Sequence, residues 1–167
     1  MQSTWLRHVL VLTSVGLLPL GVIGCGGADA PPPTRIEGNL VASEDVNPNL
    51  QGEPSPLFVR LYELRAETAF ANAGFFQLYD DDSAVLGGDL QDRSDFVLRP
   101  GETVSLAKNL KPETRFLGVV AAYQDLDQAT WRTLVPVPPE QTTTMTVALN
   151  RLDVSVEASP QDSKKRP

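Results

Sequence analysis

Few side chains in this chain have the chemistry to run a reaction. Its 167 residues include one histidine, His8, and one cysteine, Cys25. A lone thiol excludes an intramolecular disulfide and a cysteine-based zinc site. The remaining candidates are carboxylates in two places, the run Asp80-Asp81-Asp82 and the pair Asp125 and Asp127. Calcium accepts such oxygens but needs about six to eight of them converging from fixed backbone. Neither cluster has the glycine-centred loop of an EF-hand, so both are expected to be solvated acidic loops. Asp80–Asp82 is also expected to stop a helix. Asp125 and Asp127 with Glu140 suggest a glycosidase acid/base pair, which requires carboxylates about 5–10 Å apart across a sugar-sized cleft. Gly26-Gly27 and Gly87-Gly88 lack the Lys-Ser/Thr that completes a phosphate-cradling loop. Trp131 with Arg132 offers either a recognition hot spot or, more commonly for Trp on a strand, core. A net charge of −7, from 14 Lys and Arg against 21 Asp and Glu, argues against nucleic acid as a partner.

The N-terminus removes more of this chemistry. In residues 1–24, Arg7 and His8 precede the apolar run 9–18, which ends before Pro19 and a series of small residues. A positive start, a short apolar middle and a small-residue exit describe a secretory signal. The apolar stretch falls short of the roughly 20 residues that span a bilayer. The segment closes on Val22-Ile23-Gly24-Cys25, which resembles the bacterial lipobox, an aliphatic and a small residue ahead of a cysteine that becomes lipidated. The alternative is a soluble secreted protein with a stray cysteine. Gly26, rather than Asp, follows Cys25, which by the usual lipoprotein sorting rule implies the outer membrane of a Gram-negative cell. Cleavage takes 24 of 167 residues and leaves 143, with 13 Lys and Arg against 21 Asp and Glu, or −8. The mature chain then has no imidazole, and acylation consumes its only thiol. Ser-His-Asp catalysis, Cys-His catalysis and histidine-ligated zinc all fall away. Each buried methylene of an acyl anchor contributes about 0.8 kcal/mol, so one chain binds reversibly and two or more hold.

The elements that must position anything else are mostly strands. Residues 25–34 read as the lipidated cysteine and a tether, GGADAPPPT, whose three prolines favour extended geometry. At about 3.1 Å per residue it reaches up to roughly 28 Å. One domain is expected over 35–157, and a disordered tail over 158–167. The cluster Lys164-Lys165-Arg166 in that tail is either a solvated end or a contact with anionic lipid. Alternation of period two predicts strands over 35–42 and 57–64, with Leu57, Val59 and Leu61 on one face and Phe58, Arg60 and Tyr62 on the other. Strands over 94–99 and 103–108 flank Pro100-Gly101, the chemistry of a tight turn. The near-continuous apolar run 114–123 predicts a strand covered on both sides. Segments 129–135 and 142–157 complete the set, the last changing parity near Asn150, where a bulge or turn is required. Between the strands, Ala66, Ala69, Phe70 and Ala73 recur at helical spacing, Gly74 interrupts, and Phe75, Phe76, Leu78 and Tyr79 form a second apolar turn. Two short helices on one sheet edge or end are expected. The aromatics Phe70, Phe75, Phe76 and Tyr79 either fill core, the favoured reading, or form an exposed docking patch. The fold class is all-β, a two-sheet β-sandwich of seven or eight strands with one or two short helices.

A resemblance emerges from the order of the motifs. After the lipobox come Asn47-Pro48-Asn49-Leu50-Gln51-Gly52-Glu53-Pro54-Ser55-Pro56, then LFVRLYEL, then Phe70 with 75–78. The turn Leu98-Arg99-Pro100-Gly101-Glu102 follows, and finally Leu117-Gly118-Val119-Val120-Ala121-Ala122-Tyr123 with Trp131-Arg132. The series resembles the outer-membrane lipoprotein of the type VI secretion system, the TssJ/VasD (SciN) family, over residues 36–156. Gln124 departs from the family, which often has Arg after the Tyr. The resemblance implies a transthyretin-like sandwich, lipidated by palmitate at Cys25, on the periplasmic face of the outer membrane. It implies a non-catalytic protein without cofactor or metal. Its partner would be the periplasmic domain of the inner-membrane protein TssM, with TssL in the same membrane complex. It places the contact with TssM on the loop between the first two strands, residues 43–55, centred on Asn47, Pro48, Asn49, Leu50, Gln51, Gly52, Glu53, Pro54 and Ser55. The residue types suit docking: the prolines reduce the entropy lost on binding, Gly52 permits an unusual backbone angle, Asn47, Asn49 and Gln51 offer hydrogen-bonding groups, and Leu50 is an apolar tip. An ordinary polar connection has the same composition. The rival function is a periplasmic β-sandwich ligand carrier or carbohydrate-acting protein that uses acidic residues, with or without calcium.

Overall fold

Ile36, Leu40 and Ala42 alternate with polar neighbours along the first strand, and the backbone follows that alternation. In the computed structural model, which describes residues 30–161, β1 spans Arg35–Ala42 and buries all three. The leader, Cys25, residues 26–29 and the basic cluster of the tail lie outside the described residues. β2 spans Leu57–Leu64. The remaining strands are β3 (Leu90–Leu98), β4 (Thr103–Asn109), β5 (Phe116–Ala121), β6 (Arg132–Pro136), β7 (Thr142–Leu149) and β8 (Val154–Pro160). They form two four-stranded sheets, β4-β1-β7-β8 and β3-β2-β5-β6. Among the strand ladders of the described residues, β1–β7 is parallel and the others are antiparallel.

The inner faces of the two sheets share one aliphatic core. Ile36, Leu40, Met145, Val147 and Leu149 from the first sheet meet Leu57, Val59, Leu61, Leu117 and Val119 from the second. At Gly38 the β1 backbone passes so close to β7 that a Cβ would sit 1.7 Å from the Met145 carbonyl oxygen, so no larger residue fits. The Pro100-Gly101 turn is present, with Gly101 at φ +76° and Glu102 N–H donating to Arg99 O at 3.0 Å, a type II geometry. It carries the chain from one sheet to the other, because β3 and β4 lie in different sheets. The parity change near Asn150 is a turn between β7 and β8, closed by Asn150 N–H donating to Asp153 O. β8 continues to Pro160, past the expected end of the domain at 157.

The helices depart furthest from expectation. α1 is only Thr68–Asn72, while α2 runs Phe75–Leu86, straight past Asp80–Asp82. They cover the outer face of the β2 sheet rather than an edge, where Tyr62, Leu64 and Val120 pack against Phe70, Leu78 and Leu86. The Phe70 ring lies on Gly118, and a Cβ there would come within 2.7 Å of it. Asp81 does break the helical backbone (φ −144°, ψ 51°), yet the helix resumes. Asp82 is buried rather than solvated, held by Arg60 and Arg93. Arg60 in turn grips Asp95 with a two-pronged bond, Nε to Oδ1 at 2.7 Å and Nη2 to Oδ2 at 3.0 Å. That bond holds the Asp95 carboxyl below the usual carboxylate value. The Tyr62 hydroxyl, pushed up to about 12 by burial, donates to Leu78 O at 2.8 Å. Ion pairs and a buried hydroxyl therefore fasten α2 to the sheet.

A second ionic cluster joins the two sheets near the start of β1. Glu63 on β2 is 1% exposed. Its Oε2 accepts from Lys111 N–H at 2.8 Å and Thr114 Oγ1 at 2.9 Å, while Lys108 Nζ of β4 stands 2.7 Å from Oε1. Lys108 also donates to Asp92 of β3 at 2.8 Å. Burial works against the Lys108 charge, but its bonds to Asp92 and Glu63 outweigh burial and hold its pKa above the usual 10.5. The same bond from Lys108 holds Asp92 below 3.8.

Candidate functional site

At the opposite end of the sandwich, residues 43–56 leave β1 and return to β2 as a loop closed upon itself. Its base is sealed by backbone bonds: Ser43 N–H to Leu149 O at 2.9 Å, Asn47 N–H to Arg151 O at 3.0 Å and Ser55 N–H to Val46 O at 3.1 Å. Val46 and Asn47 are buried. Asn47 adopts φ +49°, a region that Asn tolerates better than most residues. Its side chain fastens the loop, with Nδ2 donating to Pro56 O and Oδ1 accepting from Gln124 N–H, both at 2.8 Å. Asn49 organises the tip. Its Oδ1 accepts from the N–H groups of Gln51 and Glu53, each at 2.9 Å, and Gly52, at φ +82°, closes the turn onto Asn49 O.

These bonds revise the expected roles of the loop residues. Asn47 and Asn49 spend their amides on the loop's own bonds. Pro48 is buried, while Gln51, Gly52, Glu53 and Pro54 are exposed and Ser55 is half-buried. Leu50 is fully exposed, at 100%. The contact between Asn47 and residue 124 uses the backbone N–H of Gln124, so the departure from Arg at that position leaves this bond intact.

Beside the tip lies a groove of about 710 Å³ that local sequence did not reveal. Pro48, Asn49 and Leu50 form one wall; Gln124, Asp125, Gln128, Arg151 and Leu152, from two other connections, form the rest. Asp125 is used as a turn cap, accepting from Gln128 N–H at 3.3 Å and Gln128 Nε2 at 2.9 Å. Beneath the groove the Tyr123 hydroxyl donates to Asn150 O at 3.1 Å, and burial beside Asp153 raises its pKa. Glu44, Asp45, Glu53 and Asp127 ring this end, exposed, and among the described residues none of them joins an ion pair.

The other candidates separate. Glu140 N–H donates to Thr34 Oγ1, which places Glu140 at the start of β1, whereas Asp125 lies beyond its end. Eight strand residues, at about 3.3 Å each, put roughly 25 Å between those ends, too far for a glycosidase pair. Among the described residues no group of three or more His, Cys, Asp or Glu is placed to hold a metal ion. No helix among them is long and apolar enough to cross a membrane. Arg132 caps α1 through the Phe70 and Ala73 carbonyls, at 3.1 and 2.6 Å, while half-buried Trp131 packs against both cores. Of the four aromatics, Phe70 fills core, but Phe76 and Tyr79 are 67% and 42% exposed. Cys25 lies outside the described residues.

The family described as T6SS-SciN, type VI secretion lipoprotein, VasD, EvfM, TssJ, matches residues 34–152, from the start of β1 through β7. The T6SS lipoprotein TssJ1 from Pseudomonas aeruginosa is similar in structure, with a TM-score of 0.75 and 43% identity over 78% of this chain and 100% of that one. Serratia marcescens Lip, a membrane bound component of the type VI secretion system, gives 0.67 and 29% over 77% and 97%. A chain of a type VI membrane complex gives 0.66 and 25% over 74% and 98%. No curated protein sequence matches the chain.

Proposed function

The chain belongs to the type VI secretion lipoprotein family, and from that premise we propose that it is a non-catalytic tether between two membranes. Cys25, acylated after cleavage of residues 1–24, holds it to the periplasmic face of the outer membrane. The loop 43–55 grips the periplasmic domain of TssM, within the membrane complex that also contains TssL. Leu50 carries this reading. It is a fully exposed leucine on a loop whose two asparagine side chains hold the loop's own shape. A preformed apolar tip costs little entropy to dock.

The strand layout supports a two-ended role. The tether joins the sandwich at Thr34 and Arg35, and the loop leaves β1 at its far end. Tension between the ends therefore passes along β1, an interior strand laddered to β4 on one side and β7 on the other. The rival carbohydrate-acting reading loses its acid/base pair to the separation of Asp125 from Glu140.

The anchor is tested by Cys25→Ser in cells given radioactive palmitate. The expected result is a folded protein without label, recovered from the soluble periplasm, and cells that no longer secrete. Label retained by the variant, or secretion at the normal level, contradicts the proposal.

A further inference from the structure

The loop alone is a small handle. Its exposed tip amounts to Leu50, Gln51, Gly52, Glu53 and Pro54, whereas stable protein interfaces engage about 20–30 residues a side. Flanking surface must contribute, and the distribution of apolar side chains points to where. Among the described residues, the large apolar side chains that are well exposed are Val41, Leu50, Phe76, Tyr79 and Val97. Three of these five lie together on the outer face of the β2 sheet.

They belong to a continuous ribbon. Val97 is paired with Phe58 across β2 and β3. The Phe58 ring meets Tyr79 at 5.6 Å, Tyr79 stacks on Phe75 at 5.4 Å, and Phe75 meets Phe76 at 5.3 Å and Trp131 at 5.4 Å. The ribbon is rigid. The Arg60 guanidinium sits 5.3 Å from the Phe58 ring centroid and 6.0 Å from that of Tyr79, locked from behind by Asp95 and Asp82. It also lies at the loop's end of β2: Phe58 is the second residue of the strand, two positions after Pro56, where the loop returns. Aromatic side chains over a fixed arginine are the composition of an interface hot spot.

We propose that this aromatic ribbon is the second half of the docking surface, receiving an apolar face of the same partner protein that meets Leu50. The inference rests on the loop-docking proposal above. Phe76 and Val97, at 67% and 63% exposed, contribute little to the fold, so both can be changed without unfolding it.

The test titrates the acylated full-length protein, in detergent, with the purified periplasmic domain of TssM. The double variant Phe76→Gln with Val97→Gln is expected to bind at least about tenfold more weakly than wild type, with an unchanged melting temperature. Wild-type affinity in that variant, while Leu50→Asp still weakens binding, overturns the ribbon and leaves the loop in place. Failure of wild type itself to bind overturns the loop-docking proposal and, with it, this one. A monomer–dimer equilibrium in sedimentation that the double variant abolishes, with TssM affinity intact, assigns the ribbon to a second copy of this chain and overturns the proposal as well.

Discussion

The two ends of the sandwich are held by different forces. Where the chain enters β1, charges are paired around one buried carboxylate: Glu63, with half-buried Lys108 and Asp92, binds two sheets that share no strand ladder. Where the loop turns, neutral amides do the holding, through Asn47, Asn49 and the Tyr123 hydroxyl. Charge pairs buried between sheets resist separation strongly, because losing one partner strands the other in low dielectric. Neutral bonds cost less to lose but fix shape well. The contrast fits the proposed tether, whose anchored end must not come apart and whose other end must present one shape. The exposed charges there, Glu44, Asp45, Glu53 and Asp127, join no ion pair among the described residues and leave that surface hydrated.

The contrast can be broken from either side. Glu63→Ala is expected to cost most, about 3–5 kcal/mol, since it leaves Lys108 half-paired and the Lys111 N–H without its acceptor. Calorimetric melting checks this, and a loss below about 1 kcal/mol contradicts it. Asn47→Ala is expected to cost less, about 1–3 kcal/mol, by freeing Pro56 O and Gln124 N–H and by placing Ala at a positive φ. Affinity for TssM should fall with it, because the loop loses its base. The smallest effect is the response to acid. Asp92 titrates lower in the folded than in the unfolded protein, so the stability it contributes is present above 3.8 and is lost as pH falls through its lowered value. Asp92→Asn should therefore flatten the decline in melting temperature between about pH 5 and pH 2. A slope equal to wild type removes Asp92 from the account.

How much of this was legible in the sequence follows the same division. β1 and β2 could be bounded from alternation alone, since each has one apolar face and clear flanks. The type II turn at Pro100-Gly101 was equally plain, but the change of sheet across it was not, because residue types at a turn carry no information about what the flanking strands pair with. β3 begins at Leu90 rather than Ser94 because Asp92 and Arg93, poor strand signals, are satisfied by Lys108 and Asp82. α2 passes Asp80–Asp82 because Asp82 finds Arg60 twenty-two positions back, a partner that no local pattern displays. At the candidate site, Leu50 and Gly52 could be read directly as apolar tip and turn glycine. The inward turn of Asn47 and the groove walls at Gln124–Gln128 and Arg151 could not, since both depend on contacts between residues about a hundred positions apart or fewer, none of them periodic.

Titration of the acylated full-length protein with the periplasmic domain of TssM, wild type against Leu50→Asp, bears most directly on the two-ended tether. Leu50 touches nothing that holds the fold, so its loss should leave the melting curve in place. The expected result is saturable one-to-one binding by wild type and at least about a tenfold loss in the variant. Equal affinity in the two proteins, with both folded, contradicts the account.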